Sequence, residues 1–135
     1  MSVIVDSNII LDILTEDPVW FEWSSAKLSY YSQREGLVIN PLIFAEVSIR
    51  FKTIEELDEA LPEAYFRRED LPWEAAFLAG KCFLAYRKKK GSQKRSPLPD
   101  FYIGAHAVIT SRALLTRNSQ DFGNYFPNLK VICPT

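Results

Sequence analysis

Short apolar runs alternating with longer segments that carry helix start and stop signals constrain this chain more than any other feature. Ser2 to Val5, Leu37 to Ile39, Ala64 to Arg68, Ala113 to Thr116 and Lys130 to Cys133 read as short strands. Between them, Asn8 to Leu14 predicts a helix with Ile9, Ile10, Ile13 and Leu14 on its apolar face. Asp17-Pro18 is a capping carboxylate followed by proline, so a second helix should run from there to about Arg34 and stop at Gly36. Pro41 opens a helix to about Phe51, and Thr53-Ile-Glu-Glu56 has the capping-box form for a helix over Thr53 to Leu61. Pro72 begins a long helix to about Lys90, Gly91 to Pro99 reads as a loop, and Asp100 to Ser111 as a further helix. This order predicts an α/β fold: a central, mostly parallel sheet of four to five short strands flanked by helices on both faces. With no repeat or linker, residues 1–135 are expected to form one domain.

Composition narrows the class. An apolar share of 47% and a charged share of 24% belong to a globular chain and exclude a disordered one. No apolar run approaches the roughly 20 residues needed to span a bilayer. The start, MSVIVDSN, lacks the features of a signal peptide. Cys82 and Cys133 are far apart and not in a metal-ligand spacing, so two reduced thiols and a cytoplasmic location are expected.

The net charge of −1 excludes a generic polyanion binder, but the charges are unevenly placed. Between Ala75 and Pro99 there is no acid, while Lys81, Arg87, Lys88, Lys89, Lys90, Lys94 and Arg95 all fall there. Such a run makes a positive face able to gather phosphates. Taken alone it equally suits the negative end of a helix dipole.

The acids are more telling. Asp6 follows the first strand directly, where ligands collect in a parallel sheet, although a helix cap would also stand there. Glu46 lies inside Pro41-Leu-Ile-Phe-Ala-Glu-Val-Ser-Ile-Arg-Phe51, which is apolar nearly all round and so is expected to be largely buried. A carboxylate there costs several kcal/mol unless it finds a partner. Arg50, four residues on, is one partner; a cation shared with other carboxylates is another. Asp100 opens its helix as the only acid between Glu74 and Asp121, again with a capping alternative. After Leu114-Leu-Thr116 come Arg117, Asn118 and, three residues later, Asp121; Asn118 would cap a short helix or offer a carbonyl oxygen. A set of carboxylates and one amide suits magnesium, which takes oxygen ligands and keeps several waters. No Cys/His cluster exists for zinc, and the single histidine, His106, reads as structural or at most a surface partner. The aromatic residues Trp20, Trp23, Tyr30, Trp73, Phe77 and Phe83 read as core or interface.

The segments VIVDSNIILDIL, INPLIFAEVSIRF, SPLPDFYIGAHA and LLTRN, in this order, resemble the PIN-domain proteins, and among them the VapC-type toxins of bacterial toxin–antitoxin pairs. The likeness covers roughly Val3 to Ile132. It implies a PIN fold, a magnesium- or manganese-dependent endoribonuclease, a cognate antitoxin and a homodimer. By position, Asp6, Glu46 and Asp100 match the family's first three acids. The fourth departs: close relatives often place Asp where this chain has Asn118, while others place it where Asp121 stands. The implied roles are Asp6 and Asp100 as metal ligands, Glu46 on metal or water, and Asp121 or Asn118 in support. Ser7 and Thr116 would hold those ligands, and Arg117 and Lys81 would hold substrate phosphates.

Two other classes remain: a non-catalytic PIN-like RNA-binding or scaffold module, and a phosphoacceptor domain. The latter wants paired acids at the first strand and a lysine after the last parallel one; Asp6 has no acidic neighbour and Thr116 is followed by Arg-Asn.

Overall fold

The computed structural model describes residues 1–91 and 98–135. Lys94, Arg95 and most of the loop expected over 91–99 lie outside the described residues. Five strands, β1 (Val3–Val5), β2 (Leu37–Ile39), β3 (Phe66–Arg68), β4 (Leu114–Leu115) and β5 (Val131–Ile132), form one sheet in the order β3-β2-β1-β4-β5. Every pairing is parallel. The chain steps outward from β1 to β3 and then returns to the other side of β1. Since parallel crossovers are right-handed, the connections before and after β3 lie on opposite faces. The first group is α1 (Ser7–Leu14), α2 (Phe21–Arg34), α3 (Pro41–Ser48) and α4 (Ile54–Ala60). The second is α5 (Trp73–Lys90), α6 (Pro99–Ile109) and α7 (Ser119–Tyr125). The α/β architecture expected from the alternation is therefore the one observed.

Helix boundaries follow local chemistry. Thr53 Oγ1 accepts the Glu56 N–H at 3.2 Å, as the capping box requires. The helix expected from Asp17 starts later: the Asp17 carboxylate accepts from the N–H groups of Val19 and Trp20 in a turn, and the regular helix begins only at Phe21. Gly36 and Gly91, at φ +85° and +66°, end α2 and α5 in a conformation that a Cβ would strain.

The α3 helix departs from its expectation. It ends at Ser48, and only Ile43 and Val47 are fully buried; Ala45 is exposed, and Ile49 just beyond is 84% exposed. Apolar composition on every face overstated burial because α3 packs against neighbours on one side only. Trp73 and Phe77, 86% and 69% exposed, are likewise surface residues, whereas Phe83 is core.

The second helical layer is joined by rings. Phe101 of α6 stacks on Tyr125 of α7 at 4.3 Å and meets Phe83 and Tyr86 of α5 edge-on or tilted at 5.6 Å. Gly104, one turn after Asp100, lets Phe126 lie against the α6 backbone: an added Cβ would come within 2.4 Å of that ring. Gly104→Ala should therefore cost about 1–3 kcal/mol through overpacking, despite alanine's better helix propensity. Chemical denaturation would measure the loss; an unchanged midpoint would show that Phe126 moves aside freely.

Candidate active site

The carboxyl ends of β1 and β4 are adjacent in the sheet, at the point where the strand order reverses. Crevices for ligands open at such places because loops leave in opposite directions. Asp6 directly follows β1 there and occupies the N-cap of α1, as the capping reading expects. Its Oδ1 accepts the Ser7 N–H at 2.8 Å, and its Oδ2 accepts the Thr116 hydroxyl at 2.7 Å. The same Thr116 oxygen accepts from Asn8 Nδ2 at 3.2 Å and from the Asn118 N–H at 3.0 Å. One fully buried hydroxyl thus joins β1, α1 and the turn after β4.

Glu46 approaches from α3. The Ser7 hydroxyl donates to its Oε1 at 2.9 Å, so Ser7, not Arg50, is the partner the structure gives this half-buried acid. Asp100 lies in the first turn of α6 without capping it, since Leu98 holds the N-cap position. Asn118 sits at the N-cap of α7 but makes no capping bond with its side chain. Its Nδ2 instead reaches Asp121 Oδ2 at 3.2 Å and Asp100 Oδ2 at 3.5 Å. The amide nitrogen therefore lies between two carboxylates that would otherwise repel each other.

The electrostatics show that these acids share one space. Burial lifts the Asp6 carboxyl above its ordinary value, against the hydrogen bonds from Thr116 and Ser7. Burial, and then the charge of Asp6, lift Glu46 despite the Ser7 bond. Asp100 is pushed up to about 7, first by burial and then by the negative charges of Asp6, Glu46 and Asp121. Among the described residues no three His, Cys, Asp or Glu side chains form a ready-made cage for a metal. The cluster is nonetheless close enough for mutual repulsion. An all-oxygen, strongly anionic and loosely spaced set fits magnesium, which keeps part of its water shell. It does not fit zinc's compact tetrahedral ligation.

Two residues expected to hold phosphate are placed otherwise. The Arg117 fork is taken up by Asp12, with Nε–Oδ2 at 2.8 Å and Nη2–Oδ1 at 2.9 Å. The Ser24 hydroxyl also donates to Asp12 Oδ2 at 2.6 Å. Arg117 thereby anchors the turn after β4 to α1. Lys81 stands on the exposed side of α5 with its ammonium 5.2 Å from the Phe77 ring centroid. Among the described residues it makes no hydrogen bond or ion pair with the acids. Asp12 and Asn8 escaped sequence reasoning, although an acid inside the apolar stretch Asn-Ile-Ile-Leu-Asp-Ile-Leu carries the same buried-charge signal as Glu46.

His106 is fully buried and so is no surface partner. Asn40 Oδ1 accepts the Ile43 N–H at 3.0 Å, which turns the Asn40 amide nitrogen toward His106 Nδ1, also at 3.0 Å. His106 Nδ1 must then accept, leaving Nε2–H to donate to Glu69 at 3.0 Å. Burial holds the ring below its usual pKa, consistent with this neutral tautomer. Arg112 also pairs with Glu69 and, with the histidine bond, holds that carboxyl down at about 2. The network fastens the end of β2 and the start of α3 to α6, and hence Glu46 relative to Asp100.

Fold and cluster together define a parallel α/β protein with carboxylates gathered at its topological switch point. A family model of the PIN domain matches residues 3–125, and the chain belongs to that family. Its fold is similar to that of VapBC2 from Rickettsia felis bound to a promoter DNA fragment, at 19% identity over 98% of both chains with a TM-score of 0.73. VapBC-1 from nontypeable Haemophilus influenzae aligns at 20% identity over 98% of both chains, with a TM-score of 0.73. FitAcB from Neisseria gonorrhoeae aligns at 20% identity over 96% of both chains, with a TM-score of 0.71. At these identities the likeness is one of fold. No curated protein matches the sequence.

The raised pKa of Asp100 predicts a signed pH effect. The folded protein holds this proton more tightly than the unfolded chain does, so the group's contribution to stability is present at low pH. It is lost as pH rises through about 7. In EDTA, Asp100→Asn should melt with wild type near pH 4 and a few degrees above it at pH 8. A melting difference independent of pH would show that Asp100 does not ionise against its neighbours.

Proposed function

We propose that this protein is a metal-dependent endoribonuclease, the toxin of a toxin–antitoxin pair, hydrolysing RNA phosphodiesters with magnesium or manganese at Asp6, Glu46, Asp100 and Asp121. The observation that carries the reading is the convergence of these four acids, with Asp100 raised to about 7 by burial and then by the other three. Carboxylates that repel one another in the bare protein gain from a shared divalent cation. That gain is strongest where they are partly removed from water.

Asp6 and Asp100 are the ligands in this reading, with Asp121 as the fourth acid. Asn118 spaces Asp121 from Asp100 through its amide nitrogen. Bound magnesium would neutralise phosphate oxygens and ease deprotonation of an attacking water. The protein's own part is orientation. Ser7 holds Glu46 by Oε1, leaving Oε2 to accept a proton, and burial raises this carboxyl toward the range useful for a general base. Thr116 fixes the Asp6 rotamer, as supporting residues do around metal ligands. RNA is favoured by the family resemblance and because unpaired bases reach a narrow acidic cleft more readily than a duplex does. The four carboxylates also weigh against a non-catalytic module.

Two faces accord with the partners this reading implies. An apolar groove of about 420 Å³ between α1, α2 and α4, lined by Ile10, Ile13, Leu28, Leu61 and Phe66, would receive an apolar antitoxin segment. The exposed Trp73 and Phe77 share one side of α5, where a Cβ on Gly80 would meet nothing within 4 Å. That helix starts with Glu74 and ends with Arg87 to Lys90, so antiparallel pairing with a second copy joins opposite charges. A cytoplasmic location agrees with the free thiols of Cys82 and Cys133 and with the absence, among the described residues, of a helix able to cross a membrane.

Purified protein incubated with cellular RNA should cut it in magnesium, and not in EDTA or as Asp6→Asn. Intact RNA in all three conditions, from folded protein free of any inhibitor, counts against the nuclease. Light scattering reads the partners: Phe77→Glu should lose the dimer alone. Ile13→Glu should lose only a small antitoxin co-expressed from a neighbouring reading frame. Loss of neither complex would misplace both faces.

A further inference from the structure

Beside the acid cluster lies a second cleft of about 510 Å³, between the C-terminal half of α5 and the helix α7. Lys89 and Lys90 line one wall, with Tyr86 deeper; Gln120, Asp121 and Asn124 line the other. Asp121 belongs to both places, because its carboxylate also faces Asn118 and the acids. The cleft therefore opens onto the cluster. Tyr125 closes its inner end, stacked on Phe101 and T-shaped against Tyr86 at 5.2 Å, with its phenol pushed up to about 12 by burial and the nearby carboxylates.

The lining chemistry distinguishes this cleft from the apolar groove on the other face. Gln120 and Asn124 are four residues apart on α7, so their amides project from the same side. Each amide carries donors and an acceptor, the set that matches a nucleobase edge. Both are exposed, and among the described residues neither has a hydrogen bond to satisfy it. Lys89 and Lys90 are also exposed, and among the described residues neither has an ion-pair partner. The helix dipole accounts for lysines at the end of α5 but not for their facing two unengaged amides across a cleft of nucleotide size.

Charge decides between ligand shapes. A small free anion drawn to the lysines would meet Asp121 and the acids beyond it. A chain with spaced phosphates meets lysines at one point and the acid cluster, with its cation, at the next. We propose that this cleft is a flanking-nucleotide subsite for single-stranded RNA. Lys89 and Lys90 take a backbone phosphate, and Gln120 and Asn124 contact the edge of the adjoining base. The proposal rests on the nuclease reading above and names how that site holds its substrate.

The test uses the full chain and a fluorescent eight-nucleotide RNA of random sequence. Anisotropy in EDTA reads binding without turnover, and cleavage in magnesium follows on the same proteins. The double variant Lys89→Gln/Lys90→Gln should bind at least about tenfold more weakly, with a salt slope shallower by about 1–1.5. The control Lys27→Gln/Lys130→Gln removes equal charge elsewhere and should bind as wild type does. In magnesium the first variant should raise KM with kcat kept, and Gln120→Ala/Asn124→Ala should flatten base preference beside the cut while leaving the salt slope unchanged. Equal losses in the two lysine pairs, or none in either, would overturn the subsite. RNA bound through Lys89 and Lys90 but never cut would overturn the nuclease and keep the subsite. RNA cut with unchanged KM in the lysine variant would do the reverse.

Discussion

The hydrogen bond from the Thr116 hydroxyl to Asp6 holds together the two strand ends on which the site depends. It crosses the place where the chain, having laid β2 and β3 on one side of β1, returns to lay β4 on the other. A gap is topologically required there, and a polar crevice inside a parallel sheet is costly unless its groups are paired. Thr116 meets that requirement fully, with one proton donated to Asp6 and two lone pairs taken by Asn8 and Asn118. Among the described residues no buried side-chain polar atom lacks a partner, so the frame is complete before any ligand arrives.

Around that frame, carboxylates are pressed together that would separate if free to do so. Four devices prevent it. Ser7 ties Glu46 to the β1 end, and the Asn40–His106–Glu69–Arg112 network locks α3 against α6. Ring packing among Phe83, Phe101 and Tyr125 sets α6 and α7 on α5, which positions Asp100 and Asp121. The Arg117–Asp12 fork pins the turn that carries Asn118. Rigid supports of this kind place charged groups where a flexible surface would let them relax. Burial, and then that enforced proximity, raise the Asp100 carboxyl.

Much of this was legible in the chain. Strand runs, proline starts, glycine stops and the Thr53 capping box act through nearest neighbours, so α4 and the ends of α2 and α5 lie close to where the pattern put them. Asp6, Glu46, Asp100 and Asp121 stood out because each began or interrupted an apolar element. Reading failed where a side chain's partner lies far along the chain. Arg117 looked like a phosphate ligand because Asp12, 105 residues away, cannot be seen beside it. Lys81 looked useful by its place in a basic run, yet its ammonium lies by the exposed Phe77 ring. Apolar residues on all sides of α3 suggested burial, whereas Ile49 faces solvent.

By itself, then, the sequence determined the element types, the parallel α/β class and the acids worth watching. These depend on periodicity, caps and the cost of burying charge, all of which are local. Only the tertiary structure decided that Asn118 lies between Asp100 and Asp121, that Ser7 rather than Arg50 holds Glu46, and that His106 is a buried neutral link. It alone set Lys89 and Lys90 across a cleft from Gln120 and Asn124. The reason is geometric: such relations are distances between elements, and they come into being only when crossovers and packing fold the chain back on itself.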